Sequence, residues 1–89
     1  MKDPLTLATD FRRRLVEVLE TLSARAMDSK DYKTAIEQYT TILTLNPTNR
    51  NDVLLNRSKA QALMHLWEEA LKDADEVWIV LHLEADNPQ

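Results

Sequence analysis

The chain has 89 residues, a net charge of −4, and 44% hydrophobic against 29% charged residues, which suits one small folded domain with a thin core rather than a disordered segment. It contains no glycine and no cysteine. Strand turns and phosphate-cradling loops therefore lose their usual residue, and disulfides and thiolate metal sites are excluded. The acidic balance argues against nucleic acid as a partner, and the longest apolar run, Val77-Trp78-Ile79-Val80-Leu81, falls far short of the ~20 residues of a membrane span.

Asp3-Pro4 reads as a helix start, a capping acid followed by proline at the first helical position, with Thr9-Asp10 as a second candidate start. From Phe11 the apolar positions Leu15, Val16, Val18, Leu19, Leu22, Ala26 and Met27 form a broad stripe ending at about Asp28. Counted from Pro4, this helix spans about 24 residues, or about 36 Å. Asp28 to Asp31 make a turn. The best-formed element follows, with apolar residues at Tyr32, Ala35, Ile36, Tyr39, Ile42 and Leu43 on a 3.6-residue period. Asp31 caps its start, and Asn46-Pro47 stops it, because the residue before proline is pushed out of the right-handed α region.

After a polar linker from Asn46 to Asn51, Asp52 is expected to cap a third helix carrying Val53, Leu54, Leu55, Ala60, Ala62, Leu63 and Leu66. A fourth runs from about Trp67 to Leu83, followed by a tail. No glycine or proline separates these two, so a break near His65-Leu66 is demanded only by internal repetition. A shift of 35 residues places Leu19 on Leu54, Ser23 on Ser58, Tyr32 on Trp67, Ala35 on Ala70, Ile36 on Leu71 and Ile42 on Val77. Each unit is a helix, a short turn and a helix. One such hairpin cannot bury its apolar faces alone, whereas stacked hairpins share a continuous core.

This pattern resembles the tetratricopeptide repeat family. In the first unit the family's positions hold Leu19, Leu22, Ser23, Ala26, Ala35, Tyr39 and Pro47. In the second they hold Leu54, Arg57, Ser58, Gln61, Ala70, Ala74 and His82, which keeps the small residues but lacks the aromatic and the proline. The resemblance implies an all-α fragment of an α-solenoid with about four helices. Residues 1–15 would be a helical extension, 16–49 and 50–84 the repeats, and 85–89 a tail whose Asp86-Asn87-Pro88 is similar to an inter-repeat linker. Independently of the resemblance, Ser23, Ala35, Ser58 and Ala70 are the small residues at which two helices can cross closely.

What the resemblance implies for function is a non-catalytic adaptor or scaffold that needs no cofactor. Its partner would be another protein or peptide, held on the concave face formed by the first helix of each repeat. Mapped by register, that face carries Glu17, Glu20, Thr21, Ala24, Met27 and Asp28, then Asp52, Leu55, Asn56, Lys59, Ala62 and Leu63. Glu20, Ala24, Met27, Leu55, Asn56, Lys59 and Leu63 are the candidate contacts. Asn56-Arg57-Ser58 is similar to the Asn-Arg-Ser of chaperone-binding members, whose asparagine grips a chaperone's C-terminal carboxylate. Glu20 and Ala24 stand where those members have lysine and asparagine, so the chaperone-tail site looks disabled.

No catalytic constellation can be defended. His65 and His82 lack companion ligands at metal-site spacing, and Asp73, Asp75 and Glu76 read as a solvated face. No apolar run follows Lys2 as in a secretory leader, so an intracellular location, cytoplasmic or nuclear, is expected. Two features remain over. The fourth helix is apolar on most sides, with Trp78, Ile79, Val80 and Leu83 short of partners inside two repeats. They are expected to form an assembly surface for a homo-dimer or another chain, unless the long first helix folds back over them or the chain is a fragment of a longer repeat protein. The charge is also polarised, with Arg12, Arg13 and Arg14 near the start against Glu68, Glu69, Asp73, Asp75, Glu76, Glu84 and Asp86 near the end. Such polarity either steers head-to-tail contacts or is plain solvated surface.

Overall fold

The computed structural model describes residues 4–85, apart from the side chains of residues 81 and 83–85. The expected cap Asp3, the tail beyond residue 85 and the side chain of Leu83 therefore lie outside the described residues. The described residues form four helices and no strand: α1 (Pro4–Asp28), α2 (Tyr32–Thr44), α3 (Arg50–Leu63) and α4 (Trp67–Ala85). Helix α1 packs on α2, α2 on α3, and α3 on α4. This is an open stack with two ends rather than a closed bundle.

The ends of the helices explain how a chain without glycine makes its turns. Lys30, Asn46 and His65 take up the left-handed conformation, with φ of 62°, 55° and 62°, a conformation that costs a residue with a Cβ about 1–2 kcal/mol. At Lys30 the cost is offset by a closed pair of backbone bonds. Asp31 N donates to Ala26 O at 2.8 Å and Lys30 N to Met27 O at 3.0 Å, the two bonds of a Schellman helix end. The same pair recurs 35 residues on, from Leu66 N to Gln61 O at 2.8 Å and from His65 N to Ala62 O at 2.9 Å. The break that no local residue announces is thus real, and it is built as the first one is.

Asp31 accepts the Thr34 amide and caps α2. Helix α3, by contrast, starts before the expected position. It begins at Arg50, and Asp52 lies within its first turn rather than at its cap, where its charge still complements the helix dipole. The N-cap residue is Asn49, whose side chain makes no capping bond and instead donates from Nδ2 to Glu20 Oε2 at 3.5 Å.

One cluster of buried residues, Val16 and Ala26 of α1, Ala35, Tyr39 and Ile42 of α2 and Val53 of α3, runs across the first three helices, with Leu19, Met27, Leu43 and Leu45 packed against it. Ala35 and Ser23 are fully buried, as close helix crossings require. At the second hairpin Ser58 Oγ donates to the Ala70 carbonyl at 2.7 Å, so a small side chain ties α3 directly to the α4 backbone. Helix α1 does not fold back over α4. It runs unbroken through Thr9-Asp10, sets Thr9, Arg12, Arg13 and Val16 beside the α2–α3 linker and leaves Leu5, Leu7 and Phe11 exposed. Trp78 and Ile79 stay 57% and 51% exposed.

Candidate functional site

The face expected to meet a partner is accessible. On α3, Leu55 and Leu63 are nearly half exposed, and Asn56 and Lys59 are exposed. Their spacing of one, three and four residues places them on one side of the helix. Neither the Asn56 amide nor the Lys59 ammonium makes a hydrogen bond or ion pair among the described residues. On α1, Ala24 is exposed, while Glu20 and Met27 are half-buried. Both α1 and α3 pack against α2, and the bond between Glu20 and Asn49 draws the carboxylate toward the start of α3. Among the described residues the seven candidate contacts therefore offer apolar area, an amide and a cation without partners and a carboxylate already bonded, with the exposed acids Glu17, Asp28 and Asp52 beside them.

Next to Glu20 the structure adds a cleft of about 530 Å³ between α1 and the α2–α3 linker, with Arg12, Arg13 and Glu17 on one wall and Pro47, Thr48 and Asn49 on the other. Sequence reasoning missed it, because only tertiary packing sets the linker beside a helix so distant in sequence.

The acids of α4 require a correction. Asp73 is not on a solvated face: it is 5% exposed. Arg57 grips it with both sides of its fork, Nε to Oδ2 at 2.6 Å and Nη2 to Oδ1 at 2.7 Å. Arg57 also donates from Nη1 to Thr40 Oγ1 at 3.1 Å, so one side chain joins three helices. The hydrogen bonding to Asp73 raises the Arg57 pKa above its ordinary value, outweighing its burial. Glu76 pairs with Arg50 at 3.0 Å, both half exposed, and Asp75 remains exposed. A signal was available: in the repeat register Arg57 stands where the first unit has the apolar Leu22, and an arginine at such a position between two packed helices needs an acid. Beside the pair the buried Gln61 Oε1 has no partner among the described residues.

On the assembly surface Trp78 and Ile79 are exposed and Val80 is half-buried, while Val77 faces the core. The Trp78 and His82 rings lie 3.7 Å apart at 30°, and Trp67 stacks with His65 at 5.5 Å. No helix among the described residues is long and apolar enough to cross a membrane.

Fold and surface together define a class, an all-α stack of antiparallel helical hairpins compatible with two tetratricopeptide-type repeats. Over 49 residues, 55% of this chain, the sequence is 47% identical to Hsp70-Hsp90 organizing protein 3 of Arabidopsis thaliana. The matched stretch spans 9% of that protein's length. No family model matches the chain, and no solved structure matches it.

Proposed function

We propose that this chain is a non-catalytic protein-interaction module of the tetratricopeptide type, an adaptor or scaffold that holds another protein or peptide along α1 and α3. Its working units are residues 16–49 and 50–84, with residues 1–15 extending the first helix. The observation that carries this reading is the α3 face, where exposed Leu55 and Leu63 flank an amide and an ammonium that have no partner among the described residues. Water satisfies such groups in the free chain, and an extended peptide laid along the helix can replace that water with its own acceptors while covering Leu55 and Leu63. The similarity to an Hsp70-Hsp90 organizing protein supports a protein partner.

Capture of a chaperone's acidic C-terminal tail is the narrower version. It is disfavoured here because Glu20 puts an acid where the tail brings one, and Ala24 offers no hydrogen bond. Selection from a displayed library of random dodecapeptides, followed by calorimetry, tests the general reading. Peptides binding more tightly than about 1 mM are expected, and Lys59→Glu should weaken them at least tenfold, about 1.4 kcal/mol. Binding indifferent to both Lys59→Glu and Asn56→Ala would sink the idea. For the narrower version, an acidic peptide with a free C-terminal carboxylate should bind wild type more weakly than about 1 mM and gain affinity in Glu20→Lys.

A second reading, self-assembly into homo-oligomers through the apolar C-terminal helix, is favoured by the exposure of Trp78 and Ile79.

A further inference from the structure

The repeat offset of 35 residues maps one internal interface onto two surfaces that lie at opposite ends of the stack. Inside the chain, α2 meets α3 through Tyr39, Thr40 and Leu43 on one side and Val53 and Arg57 on the other. Val53 shares the core cluster with Tyr39, Leu43 packs against that cluster, and Arg57 donates to Thr40. Moved forward by 35, the α2 positions fall on Ala74, Asp75 and Trp78 of α4. Moved back by 35, the α3 positions fall on Val18 and Leu22 of α1. Each end helix thus carries, by register, the positions of half of an interface that the chain already makes, with Val18 repeating Val53 and the other residues changed.

Burial separates the used copy from the unused ones. Val53 is 2% exposed, but its counterpart Val18 is 55% exposed. Leu43 is half-buried, and its counterpart Trp78 is 57% exposed. Both end faces continue as helical stripes, Phe11, Val18 and Leu22 on α1 and Trp67, Leu71 and Trp78 on α4, all exposed, at spacings that keep each set on one side of its helix.

Charge then says which face meets which. Arg14 and Arg25 flank the α1 stripe, four residues before Val18 and three after Leu22. Glu68 and Asp75 flank the α4 stripe, three residues before Leu71 and four after it. None of these four makes an ion pair among the described residues. An α1 face attracts an α4 face and is repelled by another α1 face, and the same holds for α4 against α4.

We propose that the occupant of the α4 face is a second copy of this chain, docked through its α1 face in a head-to-tail contact that repeats the α2–α3 interface. The two faces are different, so every added copy leaves one of each free, and the assembly grows rather than closing at two. This rests on the self-assembly reading above and adds to it the α1 surface and an open symmetry.

Analytical ultracentrifugation from about 10 μM to about 1 mM, affinities expected of a small contact, tests it. The weight-average mass should climb past that of a dimer without levelling. Val18→Glu and Leu71→Glu should each be monomeric, with association weakened at least tenfold. Their equimolar mixture should form a one-to-one complex and nothing larger, because it contains one intact face of each kind. Circular dichroism checks that both variants keep their helix content, and if Val18→Glu does not, Arg25→Glu takes its place with the same expected outcome. A wild-type chain monomeric throughout overturns both this proposal and the self-assembly reading. A mass that levels at two and is untouched by Val18→Glu overturns the head-to-tail contact alone and leaves a closed α4 dimer. A mixture that stays monomeric also overturns it.

Discussion

Arg57 links three helices through its side chain, because its fork closes on buried Asp73 and its third nitrogen reaches Thr40. Removing one partner leaves the other desolvated and unpaired, so Asp73→Ala should cost about 2–3 kcal/mol. Urea unfolding followed by tryptophan fluorescence measures this, and the double variant Arg57→Leu with Asp73→Leu should regain most of the loss, since an apolar pair of matching volume replaces two buried charges. An additive double variant would show that the pair is not coupled. A second prediction concerns Lys30, a non-glycine residue in the left-handed region. Lys30→Gly should stabilise by about 0.5–1 kcal/mol, the relief of Cβ strain less the added freedom of the unfolded chain. The same change at exposed Lys72, inside α4, should destabilise by about 1 kcal/mol. Opposite shifts of the thermal midpoint are the expected outcome.

At the scale of elements, both hairpins close with the same pair of backbone bonds, but their second helices begin differently. Asp31 caps α2 through its carboxylate, whereas its counterpart Leu66 has no group to offer α4. Leu66→Asp should therefore stabilise the second hairpin by about 0.5–1 kcal/mol, read as a higher urea midpoint with unchanged slope, and no gain would mean that the α4 start is already satisfied. Ala35 is fully buried at the α1–α2 crossing and Ala70 slightly less so. Ala35→Leu should cost about 3 kcal/mol by overpacking and Ala70→Leu about 1 kcal/mol. The helices and their apolar stripes were legible because periodicity is a local property, as Ala35, Tyr39 and Ile42 illustrate. The start of α3 was misplaced because Asp52 and Asn49 are both acceptable caps. Asn49 takes that place while its amide is held by Glu20 from another helix, a bond no local pattern contains.

For the whole molecule, an open stack leaves two end surfaces, and their exposure follows from the number of repeats rather than from any one residue. If copies associate only when folded, the thermal midpoint should rise with protein concentration. In Leu71→Glu it should be flat, and a concentration-independent midpoint in wild type would count against coupled assembly. The candidate groove was partly legible: register placed Leu55, Asn56, Lys59 and Leu63 together on one face of α3, where they are exposed. The cleft beside Arg12 and Arg13 and the burial of Asp73 were not, and a covered or uncovered Trp78 stayed open between two readings, because each depends on which distant element lies alongside. Two properties followed from the amino acids alone, the all-α hairpin architecture and its 35-residue repetition, since both arise from side-chain periodicity and small residues at fixed spacing. Three-dimensional packing alone decided which polar groups found partners. Asp73 and Arg57 are adjacent only after α3 and α4 pack, and Lys59 and Asn56 are left over only after every helix has taken its place.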